Sequence, residues 1–573
     1  MIAPFISKDA PFSDSQRAWL SGYLAGVQAR DTSGDADTAP TLNILYGTQT
    51  GNAEMLAEEA AEMAKSIGFA PDVQEMDAIE MDQLAGMKQV IIVISTYGEG
   101  EMPDNAELFW DALSSSTAPR LENLKYGILA LGDTGYDQFC QAGKLIDTRF
   151  EQLGAKRLAP RIDCDVDFED PATDWISSTL PLLSDEDLAV SDTPVVKKTA
   201  KSGWTRKNPF MSSIVDNHNL SSPKSAKEIR HIAFDLGDSG LSYEAGDAMG
   251  VMPVNNAGLV NALLQRVNAG FDTAVNGQDL PLGELLTRKL EIMTPPKALI
   301  NTIADKSGHE ELIRILGNGD KEALEAFLWG RDILDLLNLK PDLAVTPEEL
   351  LGWLKPLQHR AYSISSSPKA HVGEVHLTVA AVRWNYDGRQ HLGVCSSYLA
   401  DQMDVGQAAG IFMTPNKSFR VPADNDAPMI MVGPGTGIAP FRAFLEERQA
   451  RGAKGKNWLF FGDQHRETDF IYEKQIGEMS KSGLLNRLDL AFSRDQTEKV
   501  YVQDRMRQNG KALFGWLQEG GHFYVCGDAL RMARDVDTAL TQIIESEGGM
   551  SVDAAEDYVK TLKKEKRYLR DVY

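Results

Sequence analysis

The chain has 573 residues, 43% of them hydrophobic and 25% charged, with a formal net charge of −25 at pH 7. That length suffices for three or four domains, the composition is ordinary for a globular protein, and the charge argues against nucleic acid as a partner. No apolar run approaches the roughly 20 residues of a membrane helix, so no membrane span is expected. The opening MIAPFISKDAPFSDSQ has one lysine and no long apolar stretch, so it does not read as a secretory signal and a cytoplasmic home is expected.

Residues 1–40 read as a separate piece. SDSQRAWLSGYLAGVQAR predicts a capped helix over 13–28, with Trp19, Leu20, Tyr23, Leu24 and Val27 on one face. DTSGDADTAP reads as a linker. The helix could pack on its own chain, dock a partner or join a second copy.

From 41 to 183, apolar strands alternate with helical stretches: TLNILYG, then NAEMLAEEAAEMAKSIG; KQVIIVISTYG; LKYGILALGD, then QAGKLIDTRFEQLG. This alternation predicts a parallel, doubly wound sheet, whose ligands sit outside the carboxyl ends of the strands. Three polar, Gly-containing loops follow three of these strands. The first, Thr48, Gln49, Thr50, Gly51, Asn52 and Ala53, offers N–H groups and hydroxyls to one phosphate. It lacks the lysine of a nucleoside triphosphate loop. The second carries Ser95, Thr96, Tyr97 and Gly98. The third carries Leu131, Gly132, Asp133, Tyr136, Phe139 and Cys140. Loop tyrosines at a strand-end cleft can stack on a flat heterocycle. One phosphate and a planar ring fit FMN. Residues 41–190 hold 28 acidic and 9 basic side chains, a net −19. That excess is either a solvated surface or a docking face for a basic protein.

Residues 184–203 read as a linker with an acidic-to-basic charge shift. A strand-rich domain is expected over 204–425, from EIRHIAFDLG, GEVHLTVAAVRW and AGIFMTP, with a helical insertion over about 254–350. It holds HRAYSISSS, where Arg360 offers a fork for a pyrophosphate, Tyr362 a ring face and Ser363 a hydroxyl, and a glycine- and hydroxyl-rich turn, GVCSSYL. From 426 to 573 a second strand–helix alternation is expected. VGPGTGIAPFRAF, with Gly433, Gly435, Thr436 and Gly437, reads as strand, glycine turn and helix, a dinucleotide phosphate site. FSRDQTEKVYVQD supplies Ser493, Arg494, Lys499, Val500, Tyr501, Val502 and Gln503, with positive charge suited to an extra phosphate. The four cysteines, Cys140, Cys164, Cys395 and Cys526, form no C-x-x-C pair, so no local metal or iron–sulfur motif exists and no metal is expected.

NILYGTQTGNAE, STYGEGEMPDNAE and LALGDTGYDQFC resemble flavodoxin. Together with RAYS, GVCS, GPGTGIAPFR, YVCGD and the terminal RDVY, they resemble the diflavin reductases from about residue 15 to 573, most nearly the flavoprotein component of NADPH-dependent sulfite reductases. Tyr97 departs from that component and is closer to the P450 reductase pattern. The resemblance implies a flavodoxin-like FMN domain followed by a ferredoxin–NADP reductase-like module, with an antiparallel β-barrel for FAD and an α/β domain for NADPH. It implies that Arg360, Ala361, Tyr362, Ser363, Thr378, Val379, Ala380, Trp384, Gly393, Val394, Cys395, Ser396 and Tyr573 contact FAD. Asp535 would join the 2′-phosphate clamp. Ser363, Cys526 and Asp571 would surround the hydride path, and Tyr573 would cover the flavin and swing aside. It also implies electron flow from NADPH to FAD to FMN to a siroheme and iron–sulfur hemoprotein (beta) subunit that reduces sulfite to sulfide, and an oligomer contact through the N-terminal region. A reductase for another heme acceptor, P450-type or nitrite-reducing, is the alternative. A non-catalytic flavin-binding subunit is the rival from another class, and the intact Ser363, Cys526 and Asp571 argue against it.

Overall fold

The computed structural model describes residues 39–183 and 203–573. The helix expected over 13–28 and nearly all of the linker expected over 184–203 lie outside the described residues. The described residues form two compact units, the first of 39–47, 53–132 and 140–183, the second of 48–52, 133–139 and 203–573.

The first unit is a parallel sheet. Its strands are β1 (Thr41–Gly47), β2 (Ala70–Glu75), β3 (Gln89–Ser95), β4 (Lys125–Leu131), β5 (Lys156–Arg157) and β6 (Ile162–Cys164), in the order β2-β1-β3-β4-β5, with β6 also pairing β4. β1, β3 and β4 are near-continuous apolar runs because helices cover both of their faces. Helix α1 (Asn52–Ser66) follows β1 and buries Ala53, Leu56, Ala57, Ala60, Ala61 and Ala64. The alanines let its backbone approach the sheet. Helix α2 (Gln141–Gln152) follows β4 and buries Ile146 and Phe150 on the other face. The strand order reverses between β1 and β3, and a ligand crevice opens at such a point.

The second unit begins with an antiparallel sheet of β7 (Phe210–Asn219), β8 (Glu228–Asp235), β9 (Ala248–Met252), β10 (Arg360–Ser363), β11 (Glu374–Ala381) and β14 (Ala408–Thr414), ordered β10-β9-β14-β7-β8-β11. A bridge between Ile364 and Leu377 joins the two outer strands, so the sheet curls into a barrel around Ile232, Phe234, Met249, Leu377 and Ile411. GEVHLTVAAVRW does not run as one strand. It breaks at the exposed Val382, whose N–H donates to Ser396 Oγ at 3.2 Å, and continues into a separate hairpin of β12 (Arg383–Tyr386) and β13 (Arg389–Leu392). Between β9 and β10, seven short helices from 257 to 353 pack around their own leucine-rich core.

The unit ends in a parallel sheet of β15 (Met429–Val432), β16 (Asn457–Asp463), β17 (Arg487–Phe492), β18 (His522–Gly527) and β19 (Tyr568–Val572), ordered β17-β16-β15-β18-β19. Its order reverses between β15 and β18. Phe419, Phe441, Phe444 and Tyr524 form a ring cluster beneath that point, with centroids 5.3–6.3 Å apart. Truncating one such buried phenylalanine costs about 3–5 kcal/mol. Among the described residues, no helix is long and apolar enough to cross a membrane.

Candidate functional site

The three predicted loops leave the carboxyl ends of β1, β3 and β4. Thr48 Oγ1 accepts from Gly51 N at 2.9 Å, and Gly51 takes φ +86°, a conformation glycine adopts without strain. This turn delivers Asn52 and Ala53 to the start of α1. Thr96 Oγ1 accepts from Ala142 N at 3.2 Å, and Thr96 N donates to Leu131 O at 2.9 Å, so the second and third loops are bonded side by side. Tyr97 pairs with Glu101 across a tight turn. Ser95 Oγ donates to Gly47 O at 3.4 Å. In the third loop Asp133 Oδ1 accepts from Gly135 N at 2.6 Å, and the Tyr136 ring is 51% exposed.

Not every predicted contact faces that cleft. Leu131 and Ala53 lie in the core, and Cys140 is fully buried, with Sγ donating to Cys164 O at 3.7 Å. Burial pushes the Cys140 thiol up to about 12. Its sulfur is therefore a structural group and only its backbone, at φ +54°, shapes the loop. The remainder fits FMN: N–H groups and hydroxyls for one uncompensated phosphate, and a ring face on an exposed tyrosine.

In the barrel, β10 sets out Arg360, Ala361, Tyr362 and Ser363 with alternating faces. Arg360 Nη2 pairs with Glu291 Oε2 at 3.2 Å, and its side chain is partly exposed, so the fork can exchange that carboxylate for a phosphate. GVCSSYL is not a turn. Gly393 caps helix α3 (Val394–Asp401), so Val394, Cys395 and Ser396 form its first turn, whose N–H groups fit an anion. Cys395 is buried beside Tyr362, and burial raises its thiol to about 12. Thr378 and Val379 are not brought to a cleft. Val379 sits in the barrel core and Thr378 Oγ1 bonds Tyr472 OH at 2.8 Å. Ala380 packs at the margin of the nucleotide-domain core. Trp384 stacks on His391 at 5.3 Å and donates its indole N–H to Gly330 O at 2.9 Å. Its ring is held by the helical insertion.

In the nucleotide sheet, Gly433, Gly435, Thr436 and Gly437 form the loop from β15 into helix α4 (Ala439–Arg451). Gly435 takes φ +58°. A Cβ on Gly437 would lie 2.2 Å from Cys526 O, so only glycine permits this closeness of loop and strand. Ser493, Arg494 and Lys499 lie on the loop after β17, with Arg494 and Lys499 exposed, and Tyr501 is 44% exposed. These cations fit a 2′-phosphate. Val500 precedes the next helix. Val502 is buried, and Gln503 Nε2 donates to Asp535 Oδ2 at 3.0 Å, so these two polar groups hold each other.

The barrel and this sheet meet at the predicted reaction residues. Ser363 Oγ donates to Asp571 Oδ2 at 2.5 Å, across 208 positions of sequence. Cys526 and Asp571 are register partners on β18 and β19, and Cys526 Sγ lies 3.7 Å from the same oxygen. Burial first, and then the Asp571 charge, hold the Cys526 thiol well above its ordinary range, so it stays protonated. Tyr573 N donates to Gly527 O at 3.1 Å, its hydroxyl bonds Thr436 Oγ1 at 3.1 Å, and its ring is 62% exposed. The terminal ring thus spans from the Cys526 strand to the glycine loop. A hydroxyl, a carboxylate and a neutral thiol converging beneath an exposed aromatic ring fit a flavin facing a nicotinamide.

The sequence reading missed a polar interface behind this cluster. Ser365, Ser366 and Ser367 are fully buried, as are Arg442, Glu446, Glu447 and Arg448 to within 8%. A signal was present: FRAFLEER interleaves charges with phenylalanines and has no single polar face, so some of its charges must be buried and paired.

A flavodoxin-like sheet, together with an antiparallel barrel and a glycine-loop nucleotide sheet that meet at a Ser–Asp–Cys cluster, defines an NADPH-dependent diflavin oxidoreductase. The flavodoxin family model matches residues 44–175, the FAD binding domain model 203–398, and the oxidoreductase NAD-binding domain model 431–538. The chain is 43% identical to the sulfite reductase [NADPH] flavoprotein alpha-component of Bacillus subtilis (strain 168), over 98% of this chain and 96% of that one. It is 43% identical to the protein of that name from Vibrio cholerae serotype O1 (strain ATCC 39315 / El Tor Inaba N16961), over 97% and 93%. With that from Shewanella sp. (strain MR-7) it shares 42%, over 97% and 95%. The chain belongs to the family of sulfite reductase [NADPH] flavoprotein alpha-components, and its cofactors are FMN, FAD and NADPH.

Proposed function

We propose that this chain is the electron-supplying component of a sulfite reductase, passing reducing equivalents from NADPH to a separate siroheme and iron–sulfur hemoprotein in the cytoplasm. The convergence of Ser363 Oγ and Cys526 Sγ on one carboxylate oxygen of Asp571 is the observation that carries the reading. The whole-length likeness to named sulfite reductase flavoproteins supports the acceptor. When bound, FAD accepts two electrons as hydride and FMN releases them singly, which an acceptor of single electrons requires.

Their geometry supports a part for each residue. The loops at 48–53, 95–98 and 131–140 hold FMN within 41–183. The barrel over 204–425, with its helical insertion, orients FAD through Arg360, Tyr362 and the N–H groups of Val394–Ser396. The sheet over 426–573 binds NADPH through Gly433–Gly437, and Arg494 and Lys499 select its 2′-phosphate. Ser363 Oγ keeps its proton directed at Asp571 Oδ2 and presents its lone pairs elsewhere. Asp571 would place a carboxylate able to stabilise the positive charge that a nicotinamide carries when oxidised. Cys526, held protonated, fills the wall without adding charge. Tyr573 excludes water and must move for the nicotinamide to enter.

The test is reconstitution. The purified chain, mixed with a siroheme and iron–sulfur sulfite reductase hemoprotein, should support sulfite-dependent NADPH oxidation with sulfide as product. Rapid turnover with a P450-type or nitrite-reducing acceptor, and none with the sulfite-reducing one, would assign the chain to another heme partner.

A further inference from the structure

We propose that Arg442 and Glu446 are positioning residues for hydride transfer, a strut that sets the spacing between the barrel segment carrying Ser363 and the loop of Gly437 and Cys526. The inference rests on the reading of that cluster as the hydride site.

The strut starts on the nucleotide side. Helix α4 begins at Ala439, directly after the loop that packs on Cys526. Arg442 lies in its first turn and is 8% exposed. Its Nη1 donates to Ser365 O, its Nε donates to Gln475 Oε1 at 2.8 Å, and its Nη2 pairs with Glu446 Oε1 at 2.9 Å. The guanidinium lies over the Tyr472 ring, 5.2 Å from its centroid. Glu446, 5% exposed, accepts from Ser367 N through Oε2 at 3.1 Å, and from Gln475 Nε2 at 3.0 Å and His371 Nε2 at 3.2 Å through Oε1.

The barrel side is equally fixed. Ser365 N donates to His376 O at 2.8 Å, and Ser366 Oγ bonds Tyr243 OH at 2.7 Å and accepts from His376 N at 2.9 Å. Arg442 and Glu446 therefore grip main-chain atoms of a segment that cannot slide, two and four residues beyond Ser363. One end of α4 meets the nicotinamide side and its flank meets the flavin side.

Two arguments make this more than packing. A buried ion pair is weak as a source of stability, because desolvation offsets most of the attraction. What it supplies is direction: a planar fork bonded to a carbonyl, an amide and a carboxylate tolerates one geometry. A lysine cannot reach all three. Hydride transfer depends on that geometry, since a misplacement of about 1 Å costs on the order of 100-fold in rate.

The experiment uses the full-length holoprotein with Arg442→Met, Arg442→Lys and Glu446→Gln. FAD and FMN content and the NADP+ dissociation constant should stay within about 2-fold of the parent, because neither residue lies on the phosphate loops. Stopped-flow reduction of FAD by NADPH should slow on the order of 100-fold in Arg442→Met, in kcat rather than KM, and 4-deuterated NADPH should then show a full primary isotope effect. Arg442→Lys should not restore the rate, and Glu446→Gln should be intermediate. A second readout needs no turnover. Alkylation of Cys526, followed by peptide mass spectrometry in the absence of NADPH, should accelerate at least about 10-fold as the loop parts from its strand. Unchanged FAD reduction and unchanged Cys526 alkylation in Arg442→Met, whether or not its melting temperature falls, would overturn the inference. If that variant fails to fold, Glu446→Gln decides by the same two readouts. Slow reduction of FAD in the parent protein would instead count against the underlying hydride-site reading.

Discussion

Replacing Gly437 by alanine tests the nucleotide loop at its tightest point. The added Cβ would lie 2.2 Å from Cys526 O, 2.8 Å from Cys526 C and 3.3 Å from Gly527 Cα. All three are backbone atoms of a fully buried strand, so no side chain can turn away. Reaching ordinary contact requires the loop and β18 to separate by about 1 Å. Overpacking of that kind costs about 1–3 kcal/mol of stability. The same displacement moves the glycine loop away from Cys526 and Asp571 and should slow FAD reduction by NADPH on the order of 100-fold. Gly435→Ala is the internal control. Its Cβ would meet nothing closer than Asp463 Oδ2 at 3.7 Å, and its cost is the backbone strain of φ +58°, about 1–2 kcal/mol. Stopped-flow reduction, with flavin content and melting temperature measured on the same samples, should rank Gly437→Ala far below Gly435→Ala in rate but near it in stability. Equal rates in the two variants, or a near-normal rate in Gly437→Ala with both flavins retained, would refute the reasoning.

Further outcomes follow from the same geometry. His231 and His376 are held near 3, first by burial, and then by Arg442 and neighbouring histidines, with His218 and Asp216 facing the former and His371, Glu374 and Glu446 the latter. Above pH 6.5 both are neutral folded or unfolded; between about 6.5 and 3 only the unfolded chain takes up protons. Stability of the second unit should therefore fall as pH drops below 6.5, by about 2 kcal/mol per histidine at pH 5, read by denaturant unfolding. Asparagine or leucine at both positions should remove their share of that slope and leave the share of His359 and His522, which burial holds at about 4. Replacing Arg494 and Lys499 by alanine should weaken NADPH binding by about 10- to 100-fold, the loss of one or two charge-assisted bonds, and leave NADH turnover unchanged in titrations of both. Asp571→Asn exchanges the charged acceptor of Ser363 for a neutral one and should slow flavin reduction about 10-fold or more, without altering flavin content.

The parallel sheets were legible because strands buried on both faces are written as apolar runs such as QVIIVIS, bounded by glycine loops. The glycine positions told where loops must turn, and Gly51 and Gly435 do take positive φ. Local pattern failed where tertiary context decides. VCSSYLAD has poor intrinsic helix propensity, with a β-branched first residue, and forms α3 because Gly393 caps it and the barrel core takes Tyr398 and Leu399. The insertion was legible as helical, and it contains seven short helices whose boundaries, as at LGELLTR, EELIRILGN and ILDLLN, are set by packing on the shared leucine core. Cys140 looked like a loop residue and is a core thiol, because its left-handed backbone turns the side chain inward. Ser363 and Asp571 could be paired only through family resemblance. No spacing rule links positions 208 apart, and the same holds for Arg442 and Ser365.

The most direct measurement is the flavin complement of the purified chain after growth with ample riboflavin. Chromatography of the heat-released cofactors should yield FMN and FAD in equal amounts. Removing residues 1–183 should leave FAD alone, still reducible by NADPH. A single flavin type in the full chain would contradict the assignment of two separate pockets, and so would FMN persisting in the truncated one.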